Sequence, residues 1–233
     1  MKKMKKGLSL LLTVIFVMSL SVSAFANSTS GELSLVDYAN MDFASVPDNM
    51  KEIILDYAYM DIASAPDNLK ETILEARNII IYSQAWTVDG ACVVVRADGT
   101  REEVPEFSEL FPGWDVPIIN AQNARVADTA IITRGGPTFS DWVTLSAPPP
   151  NTNTPPFFTW YGDGMKYTYA SIIPGATYNL GYHLVSTGQS LGWKPGLVQG
   201  EGFEMRVGAT TTYAVRASTY STTGSAYIYV NNI

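Results

Sequence analysis

Phe203-Glu204-Met205-Arg206-Val207 and Ala226-Tyr227-Ile228-Tyr229-Val230 decide the fold class of this chain. In the first, Phe203, Met205 and Val207 alternate with Glu204 and Arg206. In the second, Ala226, Ile228 and Val230 alternate with Tyr227 and Tyr229. Successive residues of a strand point to opposite faces, so each stretch reads as a strand with one face in a core and one toward water. Short runs of the same kind, bounded by Gly, Pro, Asn and Ser, recur at 127–133, 142–146, 157–161, 166–171, 178–186 and 211–218. No helical period is visible beyond about residue 116. Eight such runs predict an antiparallel β-sandwich, jelly-roll-like in one arrangement, over residues 118–233.

Working back, residues 83–117 read as a hairpin and a connecting loop. Strands are expected at 84–88, 92–96 and 101–104, with turns at Asp89-Gly90 and 97–100. Cys92, beside Val93, Val94 and Val95, is expected to be a buried, inert strand residue, because no basic neighbour is there to activate it. Phe107, Leu110, Phe111 and Trp114 are expected to be buried in the loop that follows.

Before the hairpin stands a tandem duplication. Residues 37–55 read DYANMDFASVPDNMKEIIL and residues 56–74 read DYAYMDIASAPDNLKETIL, with fourteen of 19 positions identical. Two copies are too few for a solenoid. In each, Ser45 or Ser64 is placed to cap a helix that Pro and Asp then open. Leu69, Ile73, Ala76 and Ile80 trace one helical face running to about Ile81. The repeated Asp42, Asp48, Asp61 and Asp67 lack the central Gly and alternating ligands of a calcium loop, so capping is the expected role and no metal is assigned. The fold class is therefore mainly β, with a short α-helical N-terminal part over 27–82.

The first 26 residues read as an address. Lys2, Lys3, Lys5 and Lys6 precede an apolar run over 8–20, and Ala24-Phe25-Ala26 supplies small residues at a cleavage site. This pattern describes a secretory signal peptide; the apolar run is shorter than the ~20 residues that span a bilayer. The expectation is cleavage after Ala26 and a secreted, extracellular protein with no membrane anchor.

Composition narrows the chemistry. One Cys excludes an intrachain disulfide and a Cys-rich zinc site, and one His excludes His clusters. With a net charge of -7, a nucleic-acid footprint of clustered Lys and Arg is not expected. Charge is also uneven: residues 27–117 hold 17 acids and 5 bases, residues 118–233 only 5 acids and 6 bases. The nearly neutral, aromatic-rich half is the better place for a neutral ligand.

Motifs for catalysis are thin. Gly188-Gln189-Ser190-Leu191-Gly192 matches the G-x-S-x-G elbow of serine hydrolases. That elbow needs a following helix and a later His. Here Lys194-Pro195-Gly196 follows, and His183, the only histidine, lies upstream. Glu201 and Glu204 are the one local carboxylate pair for a glycosidase; on a regular strand they would face opposite sides. No catalytic residue and no cofactor is assigned.

The aromatics suggest a non-enzymatic binding module for neutral carbohydrate or another cell-surface ligand, with Trp160, Tyr161, Asp163 and Trp193 as candidate ligand-binding residues. Asn179 and Gln189 are further candidate hydrogen-bonding partners. A secreted glycoside hydrolase and a membrane-active or pore-forming protein are the alternatives. Mass spectrometry of the exported chain should find Asn27 at its N-terminus; a retained Met1 contradicts the leader.

Overall fold

The computed structural model describes residues 35–39, 41–88, 92–119, 139–145, 158–161, 164–207, 212–219 and 224–233. Two antiparallel sheets face each other, with short helices packed on one of them, consistent with a β-sandwich carrying a short helical N-terminal part.

The helical part is α1 (Leu35–Tyr38), a 3-10 turn (Phe43–Ser45), α2 (Asp48–Ala58) and α3 (Asp67–Ser83). The two copies of the repeat adopt the same local structure. In each, Asp42 or Asp61 accepts the amide two residues on, from Ala44 at 3.1 Å and from Ala63 at 3.0 Å. Each helix then starts at the Asp after the proline, and Lys51 and Lys70 return to Asp48 and Asp67 at 3.1 and 2.7 Å. Ser45 and Ser64 do not cap these helices: Ser45 lies inside the 3-10 turn and Ser64 donates back to the Asp61 carbonyl. The acids three residues earlier, Asp42 and Asp61, instead accept an amide one turn upstream, and neither α2 nor α3 has a side-chain cap.

Ile54 and Ile73, equivalent in the two copies, are both fully buried. Helix α3 buries Ile73, Ala76 and Ile80, as the periodicity predicts, but also Ile79, Ile81 and Tyr82. Its C-terminal end is enclosed on several sides, because it lies between α2 and the sheet. Arg77 ties the copies together, donating from Nε to the Ala58 carbonyl at 2.9 Å and from Nη2 to the Met60 carbonyl at 3.0 Å. These are carbonyls at the end of α2 that would otherwise lack partners.

Eleven strands are described. They are β1 (Trp86–Thr87), β2 (Cys92–Val95), β3 (Arg101–Glu103), β4 (Phe139–Leu145), β5 (Phe158–Tyr161), β6 (Gly164–Ser171), β7 (Tyr178–Leu184), β8 (Ser190–Leu197), β9 (Gly202–Val207), β10 (Thr212–Ser218) and β11 (Gly224–Asn232). Helix α4 (Phe107–Leu110) follows β3. One sheet has the order β1-β8-β7-β10-β5, the other β3-β2-β9-β6-β11-β4.

Two expectations need correction. The strands expected to pair as a hairpin across Asp89-Gly90 do not pair with each other: β1 pairs with β8 and β2 pairs with β9, so residues 86–103 supply strands to both sheets. Asp89-Gly90 therefore cannot join paired strands, since β1 and β2 lie in opposite sheets; the dipeptide itself is outside the described residues. The second turn is as predicted, with the Arg96 amide donating to Thr100 across the β2–β3 pair at 2.9 Å. The other correction is β8, a strand where the sequence showed no run of the alternating kind. Pro195 and Gly196 sit at a register shift opposite Asn179, whose side chain accepts the Gly196 amide at 3.1 Å. A bulge accommodates Pro and Gly that a regular central strand would exclude. The run at 127–133 lies outside the described residues.

Between the sheets, Tyr178, Leu180, Tyr182, Leu197 and Val215 meet Val94, Phe203, Met205, Ala226 and Ile228. Tyr178 donates to the Glu201 carbonyl and accepts the Ala170 amide; Tyr182 bonds Thr168. These phenols are buried but paired, and burial pushes both well above the usual tyrosine range. Cys92 is buried as predicted, its thiol turned to the Glu204 carbonyl; burial, then the Glu204 charge, pushes it far above a reactive range.

Deletion of 56–74 joins Leu55 to Glu75 and lets the first copy occupy the place of the second. Ala39 and Met41 would then offer Arg77 the carbonyls that Ala58 and Met60 offer now. The variant should express as a soluble, folded chain with one helix fewer, checked by circular dichroism and size-exclusion chromatography; loss of soluble expression contradicts it.

Candidate functional site

The four residues singled out from the sequence do not form one site. Trp160 and Tyr161 lie on edge strand β5, opposite Tyr213 and Thr212 of β10. Asp163 lies outside the described residues. Trp193 is the correction: its ring is fully buried. It lies on the helix-facing side of β8, where its indole N–H donates to the Tyr82 carbonyl at 2.6 Å and its ring meets the Tyr82 ring edge-on at 4.9 Å. A Cβ on Gly181 of the neighbouring strand would come within 2.5 Å of this ring, so only glycine lets the indole lie against β7. With both faces enclosed, Trp193 has no surface for a sugar.

The sequence places Trp193 at the surface because no strand is expected at 190–197, and segments between strands are mostly exposed. The helical unit covers this face of the five-stranded sheet, and Asn179, Gly181, His183 and Arg216 on its strands are all buried.

The outer face of the six-stranded sheet is different. Along β6, Lys166, Thr168 and Ala170 turn into the sandwich, and Tyr167 and Tyr169 turn out. Along β11, Ala226, Ile228 and Val230 turn in, and Tyr227 and Tyr229 turn out. Register sets Tyr169 directly opposite Tyr229. Their rings stack at 4.7 Å and 9°. Tyr167 stacks on Tyr169 at 5.1 Å and 23°, and Tyr227 meets Tyr229 edge-on at 4.9 Å. All four are partly exposed. The result is a tyrosine row crossing from β6 to β11.

Backbone geometry positions the row. Gly202 of β9 pairs with Tyr169, and a Cβ there would meet the Tyr167 ring within 2.2 Å. The missing side chain therefore gives the first ring of the row its seat on the neighbouring strand. At this end, Glu204 lies opposite Tyr167 and is held by both terminal nitrogens of Arg101. Beyond the other end, the backbone register sets Trp142 of β4 opposite Tyr227. The signal was present in the sequence, as the alternation of β11 and the pair Tyr167 and Tyr169. What was missing was the register that brings the two pairs side by side.

The hydrolase motifs do not assemble. Glu201 lies in the turn before β9, not on it, and its carboxylate accepts from Arg96 and from the Val198 amide at 3.2 Å. Arg96 also holds Glu102. Both Glu201 and Glu204 are thus engaged by guanidinium groups. Ser190 begins a strand where the serine elbow requires a helix. Ser190 and His183 stand opposite each other in the register, yet both are buried and neither side chain has a hydrogen-bond partner. Among the described residues, no group of three or more His, Cys, Asp or Glu could hold a metal ion.

Trp193→Ala should lower the unfolding free energy by about 3–5 kcal/mol, the cost of deleting a core aromatic, measured by denaturant titration. A stability close to that of the parent chain would mean the ring is not the core element its burial indicates.

No protein-family model, no curated protein and no solved structure matches this chain.

Proposed function

We propose that this protein is a secreted, non-enzymatic binding module that takes a neutral, hydroxyl-rich ligand, carbohydrate being the leading class, on the outer face of its six-stranded sheet. The observation that carries this reading is the row Tyr167, Tyr169, Tyr229 and Tyr227, partly exposed on that face while helices cover the opposite side of the sandwich. Stacked rings spend their faces on one another and offer their edges and phenol groups outward. Tyrosine supplies rigid, amphipathic contact area at low entropic cost, with a group that can both donate and accept. The two buried carboxylates near the Tyr167 end, Glu204 and Glu201, are paired with Arg101 and Arg96, which leaves the row without a strong field for a charged ligand. The leader-like first 26 residues support export.

The test is a glycan array on the mature chain, followed by titration of any positive oligosaccharide against variants. Tyr169→Ala removes the ring shared by both stacks and should weaken binding by about 1–3 kcal/mol, the scale of an interface anchor, with the melting temperature close to the parent value. Gly202→Ala should displace Tyr167 and weaken binding without touching the row chemically. Unchanged affinity in both variants sinks the face as the site, and turnover of a glycan by the purified chain contradicts the non-enzymatic reading.

A further inference from the structure

The contact between the helical unit and the five-stranded sheet encloses a group that the tyrosine face does not use. His183, the single histidine of the chain, lies on β7 with no exposed surface, and neither ring nitrogen has a hydrogen-bond partner. Across the ladder on one side is Ser190 of β8, 1% exposed, its hydroxyl also without a partner. On the other side β10 brings Arg216, 3% exposed, which hydrogen-bonds Tyr82 of α3. His183 is two residues from Gly181, so it shares the face on which Trp193 lies against Gly181 and donates to the Tyr82 carbonyl. The imidazole is therefore shut in where α3 sits on the sheet.

An imidazolium here would be desolvated and beside a like charge. The neighbouring groups are Arg216 from β10, whose charge acts on His183, and the neutral Ser190 opposite it on β8; Tyr82 of α3 reaches this cluster through its bond with Arg216. Among the described residues no carboxylate contributes to the titration of His183. Burial first, and Arg216 second, hold this histidine down to about 4, against an ordinary value of 6.5.

We propose that this contact is an acid-sensitive latch: the helical unit stays docked on the five-stranded sheet while His183 is neutral, and protonation of His183 releases it and uncovers Trp86 and Trp193. The sign follows from linkage. The opened state binds the proton more readily than the closed one, so docking is fully favoured above 6.5 and is lost progressively as pH falls from there toward 4.

The full mature chain tests this. With one histidine, its imidazole proton resonance reports this site alone. On going from pH 7 to pH 4, tryptophan emission should shift to the red and the α3 amides should lose hydrogen-exchange protection, while those of β6, β9 and β11 keep theirs. In His183→Gln that step should be absent over the same range. The proposal is overturned if the imidazole titrates near 6.5 with the α3 amides still protected, if the step persists in His183→Gln, or if helix and strands lose protection together. Should His183→Gln fail to fold, the imidazole titration and the hydrogen exchange of the parent chain decide the matter.

Discussion

Two indoles hold the helical unit to the sandwich. Trp86 on β1 and Trp193 on β8 stand opposite each other in the ladder. Their N–H groups donate to successive carbonyls at the end of α3, Ile81 at 3.0 Å and Tyr82 at 2.6 Å. The last carbonyls of a helix have no partner within it, and leaving one buried and unpaired costs about 1–3 kcal/mol. The Trp193 indole meets that requirement at Tyr82, the Trp86 indole joins the Gln84 amide on the Ile81 carbonyl, and both bury large apolar rings in the same contact. Edge-on packing extends the seam from Tyr82 to Trp193 and from Trp86 to Phe107. Because the clasp uses backbone carbonyls, it fixes both the position and the end of the helix.

That contact sets which side of the molecule is open. Once α3 covers the five-stranded sheet, the strands beneath it are buried on both faces, and polar groups caught there must find partners or remain neutral. Arg216 meets Tyr82, and Asn179 meets the Gly196 amide and Ser218. His183 and Ser190 do not find any. The outer face of the six-stranded sheet bears no helix among the described residues, and its tyrosines arrange themselves by stacking. The same residue type thus serves two purposes in one fold. Tyr178 and Tyr182 cross the core and bond the facing sheet, whereas Tyr167, Tyr169, Tyr227 and Tyr229 line the outside. Position along an alternating strand separates the two sets.

The duplicated segment shows how a small unit is extended at little structural cost. Each copy carries its own Asp-stabilised turn, its own proline entry and one isoleucine that is fully buried. What joins the copies is Arg77, whose guanidinium closes the end of α2 and lies 4.9 Å from the centre of the Trp114 ring. A cation over an aromatic face is favourable in itself, and here it also braces the loop after α4 against the helices.

Local patterning determined much of this protein. Alternation in 203–207 and 226–230 marked true strands and, at Phe203, Met205, Ala226, Ile228 and Val230, the correct inward residues, because a period of two admits only one assignment when one face is buried. The spacing of Ile73, Ala76 and Ile80 marked the helix, and the valines around Cys92 marked a buried thiol. Long-range pairing decided the rest. Nothing local distinguishes a Pro-Gly loop from a strand with a bulge, so β8 became legible only beside Asn179 on β7. Nothing local says that strands five residues apart, β1 and β2, belong to opposite sheets. Trp193 and Tyr169 are both aromatic residues among polar neighbours in the sequence. One went into the core because α3 lands on its face, and the other joined a surface row because β11 runs beside β6; burial is a property of what packs against a residue, and that is settled only in three dimensions.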